Sequence, residues 1–333
     1  MKKKEQLEQE NIQEETPEVE PIDEANQSED IGYESEHLAN IETNRIIFLK
    51  YYHSQNVWKW VVGILALVII LVDFLVIPQF LPNDFPVAAR WALMLVIAGL
   101  AIGAVGVYTV LVKKSLNKKM KKYFSDYYTE SNNYVLEQDG FSDVELLVPD
   151  KIERVQFDEN KIYADVFNVG SRGLTNFRYH EKPMYICDCA AQTKIEKATK
   201  PVFVGKYLVG DSTYIDAHPI IIYIKGDERS LPPTNTEENP LVYNEKDVYI
   251  YTNNKDWKKA VNSKVLKAVH KIKPHNHLID VSISLVGGKA YFCLGYDDPL
   301  MVLPLQNPYD AKPIMQLKED LLEFVNLLEE LDK

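Results

Sequence analysis

Four side chains in this sequence have the chemistry to hold a zinc-like ion: Cys187 and Cys189 in "YICDCAAQ", and His275 and His277 in "KPHNHLID". If the first stretch is a strand, its period of two turns both thiols to one face. Two thiolates and two imidazoles would make a complete tetrahedral shell for zinc, the alternative to an expectation of no cofactor. The spacing departs from the usual knuckle, with Cys-x-Cys in place of Cys-x-x-Cys and the histidines far along the chain. The competing reading makes the cysteines small buried apolar residues and leaves the histidines in a polar loop behind Pro274. With Cys293 there are 3 cysteines, an odd number that fits reduced thiols in a cytosol better than a disulfide framework. No catalytic residue is assigned: "GKYLVGDS" lacks phosphate-loop spacing, and neither GxGxxG nor GxSxG occurs.

A second set of residues offers charge. Between Lys255 and Lys273 stand Lys255, Lys258, Lys259, Lys264, Lys267, Lys271 and Lys273 against Asp256 alone. Residues 1–44 carry the opposite sign, with 3 lysines against 14 Asp and Glu, a balance of −11 out of a net −12. The tail has few apolar residues and is expected to be disordered. Folded back over the lysines, it would compete with anionic lipid or another acidic partner. Everything after the tail is nearly neutral and holds no nucleic-acid motif, so nucleic acid is not an expected partner.

The elements that position these groups begin with two apolar runs. Val57–Ile77 has 21 residues and Trp91–Val112 has 22, the second without a charge. At about 1.5 Å per residue each reaches roughly 31–33 Å, the thickness of a bilayer core. More than fifty mostly polar residues precede the first run, so a signal peptide is not expected. Lys and Arg collect on cytoplasmic flanks. Arg45, Lys50 and Lys59 precede or open the first span, and Lys113, Lys114, Lys118, Lys119, Lys121 and Lys122 follow the second. Residues 78–90, with three prolines, hold Arg90 against Asp84 and read as a short external turn. The expected topology is a multi-pass hairpin in the cell membrane with both termini cytoplasmic. The lysine cluster locks that topology, and it also faces anionic inner-leaflet lipids. Asp73, near the outer end of the first span, is expected to stay hydrated at the interface. Gly99, Gly103 and Gly106 suit close helix packing, within the hairpin against Gly63 and Ala66 or between copies as a homo-oligomer.

Residues 45–56 read as a juxtamembrane segment and 113–140 as a basic stalk continuing the second span. Residues 141–333 read as a cytosolic domain. "PVFVGKYLVG", "HPIIIYIKG" and "DVYIYTN" are strand-like. In "DVSISLVGGKAYFCLG" two alternating runs flank Gly287-Gly288, the mark of a hairpin. One helix is expected from Asn254 to Pro274, with Trp257, Val261, Val265, Ala268 and Ile272 inward. Another runs from Ile314 to Leu331 and docks on the sheet. Residues 226–240 read as a flexible polar edge. The fold class is therefore α+β: a two-helix transmembrane hairpin followed by a mixed sheet-and-helix domain.

The order of two spans, a basic stalk, "KPVFVGKYLVG", "DVYIYTNNKDWKKAV", "VSISLVGGKAYFCLGYDDPLM" and a closing acidic amphipathic helix resembles a bacterial two-span membrane protein family of unknown function, over roughly residues 57–333. The resemblance implies a bacterial membrane protein with a cytosolic domain and carries over no catalytic residue. Two function classes remain. One is a binding or scaffolding module at the inner membrane face, with an unidentified cytosolic or membrane protein among its partners. The other is a membrane-bound metal protein or enzyme using Cys187, Cys189, His180, His275 and His277.

Overall fold

The computed structural model describes residues 35–80, 82, 86–147, 151–195, 198–275, 277–296 and 307–332. The acidic segment 1–34 lies outside them. Helix α1 (Glu36–Leu75) starts well before the apolar run, where the Ser35 side chain accepts a hydrogen bond from the His37 amide at 3.2 Å. Residues 36–56 are thus helix, which corrects both the 1–44 tail boundary and the separate juxtamembrane segment. The cause is an apolar stripe, Leu38, Ile41 and Phe48, all buried, with Phe48 stacked on Tyr123 of the second long helix.

After the short α2 (Ile77–Phe80), α3 runs from Val87 to Leu136 without interruption, so the expected stalk is one helix with the second apolar run. The two long helices are antiparallel: His37 Nδ1 meets Glu130 Oε2 at 2.7 Å, Phe48 stacks on Tyr123 at 4.9 Å, and Phe74 lies 6.4 Å from Trp91. Between the two apolar halves side chains turn outward on most sides. Trp60 is 76 % exposed and Leu100 is 70 % exposed.

Nine strands among the described residues form an antiparallel sheet in the order β1-β2-β3-β4-β9-β8-β5-β7-β6. They are β1 (Phe141–Leu146), β2 (Val166–Tyr179), β3 (Lys182–Ile195), β4 (Ala198–Asp211), β5 (Ile220–Lys225), β6 (Leu241–Glu245), β7 (Val248–Tyr251), β8 (Leu278–Val286) and β9 (Lys289–Tyr296). The β8–β9 hairpin turns at Gly287 and Gly288 with φ of 58° and 83°, the primed turn that the sequence predicts. The expected strands are present within β4, β5 and β7; β1, β2 and β6 were not anticipated.

One sheet face carries Cys187, Cys189, Cys293, Tyr207 and Tyr291 under α4 (Arg154–Asp158) and the segment through Tyr163. The other face takes α7 (Lys312–Leu331), whose Phe324 ring lies 6.0 Å from Phe292. The foot of α3 docks beside it, where Asn132 Nδ2 donates to Thr175 Oγ1 at 2.6 Å. Near the base of α1, the buried Glu42 pairs with Arg45 at 2.6 Å and accepts from the Tyr309 amide at 3.0 Å, tying the hairpin to the domain.

Two further expectations change. The lysine-bearing helix is two short ones, α5 (Trp257–Ala260) and α6 (Ser263–Val269), because the chain breaks at Val261 and Asn262 restarts it. Asn262 Oδ1 accepts from the Lys264 and Val265 amides at 2.8 and 3.1 Å. Residues 226–240 are not a loose edge. The Thr234 and Asn235 amides donate to Ile162 O at 3.2 and 3.1 Å, and Ser230 Oγ donates to Ile279 O at 2.8 Å.

Candidate functional site

A cleft of about 560 Å³ opens where β5 ends and β7 and β8 begin, at the C-terminal end of α6. Its floor is apolar, from Ile224, Val248, Ile272, Leu278 and Ile279. Its rim carries Lys225, Arg229, Lys246 and Lys273 against Asp227 and Asp247, with His270 and His275 between them. Each rim residue arrives by a different turn. Gly226 follows β5 because a Cβ there would stand 2.2 Å from Ile279 O. The chain then turns at Asp227, whose Oδ1 accepts the Arg229 amide at 2.8 Å while Oδ2 takes the guanidinium at 2.6 Å. Those Arg229 hydrogen bonds hold the Asp227 carboxyl below its ordinary range.

Lys246 and Asp247 form the β6–β7 turn with φ of 49° and 65°, a left-handed pair made without glycine. Such backbone costs about 1 kcal/mol or more for a residue with a Cβ. The Lys225 amide bonds Asp247 O at 2.9 Å, which fixes this turn over the end of β5. His270 closes α6 and its Nε2 lies 3.0 Å from the Tyr243 hydroxyl. With Asp227 committed to Arg229 and Lys246 3.9 Å from the exposed Glu245, the cleft lining keeps three lysines against Asp247, a surplus of positive charge over an apolar floor.

Beneath the cleft, Asp280 accepts the Leu231 amide at 2.7 Å and is buried, which pushes its pKa from 3.8 up to about 6. A raised carboxyl pKa means that the folded chain binds this proton more tightly than the unfolded chain. The stabilisation is full below the unfolded value and is lost as pH rises through about 6. Asp280→Asn, which keeps an oxygen for Leu231, should therefore stabilise the domain by about 2–3 kcal/mol at pH 8 and hardly at all at pH 4. Thermal melts of both proteins at the two pH values check this; an equal shift at both would contradict the assignment.

The four-residue metal set does not assemble. Among the described residues no group of three or more His, Cys, Asp or Glu is placed to share an ion. Cys187 and Cys189 do share a face, as the period of two requires, but His275 reaches Asp320 on α7, across the sheet, at 3.0 Å. The other ring nitrogen of His275, Nδ1, faces the His277 and Leu278 amides at 3.3 and 3.4 Å, so it accepts and Nε2 carries the proton toward Asp320. Burial pushes the Cys189 thiol up to about 12 and those of Cys187 and Cys293 well above their ordinary value, which disfavours the thiolate that binds metal or attacks. His180 stacks on Tyr179 and bonds Glu329 at 2.5 Å.

The lysines of the candidate binding face are exposed, and they are unequally engaged. Lys259 pairs with Asp256 at 3.1 Å, Lys264 with Glu330, and Lys258 lies over the Trp257 ring. Lys255, Lys267 and Lys271 stand in solvent, and Lys273 continues this face into the cleft. On α3, Lys122 pairs with Asp126 at 2.7 Å and Lys119 lies over the Tyr51 ring. Lys113, Lys114, Lys118 and Lys121 border a concavity on one side of the helix. Nothing stands within 4 Å of a Cβ built at Gly63, Gly99, Gly103 or Gly106, so these glycines do not pack the hairpin internally. Asp73 is turned inward, 1 % exposed and without a hydrogen-bond partner among the described residues, where a hydrated position was expected.

The sequence marks His275 as a metal candidate and Lys271 and Lys273 as part of a basic helix, and it does not mark this cleft or its Lys225, Arg229 and Lys246. Their only local mark is turn chemistry around Gly226 and between two β-rich runs. No protein-family model matches the chain, and no curated protein matches it. Among solved structures, the crystal structure of the mycobacterial trehalose monomycolate transport factor A, TtfA, is similar to this chain with a TM-score of 0.36 and 11% identity, over 60% of this chain and 94% of that one.

Proposed function

We propose that the chain is a binding module anchored in a bacterial cell membrane by α1 and α3, with both termini and the sheet in the cytoplasm, and that its cleft holds an anionic ligand. The observation that carries the reading is the positive rim over an apolar floor, suited to a phosphate or carboxylate head on an apolar body. Anchoring is supported by apolar runs whose side chains face outward, where a soluble core helix would bury them. The lysines that follow the second run support the orientation.

Inorganic pyrophosphate titrated into the full-length protein in detergent micelles is the probe. Binding should weaken with added salt, and Lys246→Gly should weaken it about tenfold, or ~1.4 kcal/mol. The same substitution should hold or raise the melting temperature, because glycine suits the positive φ at that turn. Unchanged affinity in both Lys246→Gly and Lys273→Ala would reject the cleft. A membrane-impermeant maleimide should label Lys246→Cys in inverted vesicles and leave it unlabelled in right-side-out ones; the reverse pattern would reject the orientation.

A further inference from the structure

A second concavity, about 550 Å³, lies between α3 and the β1–β2 edge, and no part of the cleft reading uses it. Its walls are apolar, from Met120, Phe124 and Tyr128 on the helix and Leu146 and Leu147 at the end of β1. Two cations stand at it: Lys121 on α3, and Arg172, whose guanidinium lies 5.4 Å over the Phe124 ring. Gly173 lets β2 come this close, since a Cβ there would stand 2.4 Å from the Tyr128 ring.

The position along α3 says what fits. The apolar run ends at Val112, and Asn117, the first helix residue of this concavity, is five residues on, roughly 7–8 Å. The headgroup layer on one side of a bilayer is about that thick. A third concavity of about 470 Å³, lined by Val110, Lys113, Lys114, Asn117, Lys118 and Lys121, shares Asn117 and Lys121 with this one. A surface bordered by lysines thus runs from the apolar half of α3 into an apolar chamber.

We infer that this chamber is a specific site for one anionic phospholipid of the inner leaflet, its phosphate held among Lys121, Arg172 and the lysines nearer the apolar run, and part of one acyl chain turned out of the bilayer against Phe124, Tyr128 and Leu147. The inference rests on the membrane placement proposed above, and it is independent of the cleft. Charge complementarity commits the occupant: an uncharged partner would leave the cations unused, and a soluble anion would leave the apolar walls bare.

The test is full-length protein reconstituted in nanodiscs of phosphatidylglycerol and phosphatidylcholine, then extracted into detergent, with the retained lipid weighed by native mass spectrometry. Wild type should keep about one phosphatidylglycerol and exclude phosphatidylcholine. Lys121→Gln and Arg172→Gln should each lower retention about five-fold, the change expected for one cation near a lipid surface. Met120→Trp, which fills the chamber and leaves every charge in place, should lower it as well. Retention that is equal for both lipids, or that survives Met120→Trp while falling with the charge variants, overturns the site in favour of a loose basic annulus. Carbonate washing of membranes separates the two failures. A chain stripped from the membrane sinks the anchoring as well, whereas a chain that stays embedded without retained lipid sinks this site alone.

Discussion

Asp188→Ala should destabilise the domain by about 3–5 kcal/mol, the largest loss expected from any single charge removal here. Asp188 on β3 and Lys206 on β4 stand directly opposite in register, 2.5 Å apart, with side chains only 2 % and 5 % exposed. They lie on the face under α3, and Asp188 is close enough to the Tyr127 and Tyr128 hydroxyls to add to the rise in pKa that burial gives them. Removing the carboxylate leaves an ammonium in the core with no counter-charge, and its desolvation is then uncompensated. Replacing the pair together, Asp188→Leu with Lys206→Met, should recover most of the loss, since apolar groups of similar size need no partner. Thermal unfolding followed by the far-UV signal of the sheet reads both. A single substitution that costs less than about 1 kcal/mol would show that water reaches the pair.

Gly205→Ala should cost about 3 kcal/mol or more, for steric reasons alone. A Cβ at Gly205 would fall 1.9 Å from Leu294 O and 3.0 Å from the Tyr296 amide nitrogen, both backbone atoms of the neighbouring strand β9. Neither can withdraw without opening the β4–β9 ladder in the middle of the sheet. Gly205 pairs with Gly295, where a Cβ would stand 2.4 Å from Asp280 Oδ1, so it is Gly295 that makes room for the buried carboxyl. Gly99→Ala on α3 is the control. Its Cβ meets nothing within 4 Å, and alanine is the better helix former, so the melting temperature should hold or rise. A Gly205→Ala protein as stable as the Gly99→Ala protein would mean that the two strands are farther apart than they stand here.

Local periodicity made some of the fold readable. The alternation on either side of Gly287-Gly288 gives β8 and β9, and the three-and-four spacing from Ile314 gives α7, because each pattern is complete within one element. β2 was not readable: "VFNVGSRGLTNFRY" mixes glycine and polar residues, and its register shifts between Arg172 and Thr175. The early start of α1 was hidden by charge, since Leu38 and Ile41 stand between Glu34, Glu36 and Glu42. In "CDC" the same alternation that turns two thiols into the Tyr207 core turns the intervening acid to the opposite face, where Lys206 waits. The cysteines drew attention, and the residue with the energetic consequence was between them. The cleft was the least legible part. Lys225, Arg229, Lys246 and Lys273 follow no period, and they meet only because β5 sits between β8 and β7 in the sheet.

The absence of any joint in α3 has a geometric consequence. From Val112 to Leu136 the helix rises roughly 36 Å, and α1 braces it as far as Glu130. If the apolar half is embedded as proposed, this pair works as a ruler and a compass at once: it would set how high the sheet stands above the lipid and which way the cleft points. A flexible tether would let the cleft sample every bearing and average its encounters with neighbours. Here four inserted residues would lift the sheet about 6 Å and also swing it about 40°, because rise and rotation along a helix are coupled. Height can be changed without heading only by near-whole turns, so in the proposed placement a neighbour in the same membrane would meet the cleft at one height and one angle.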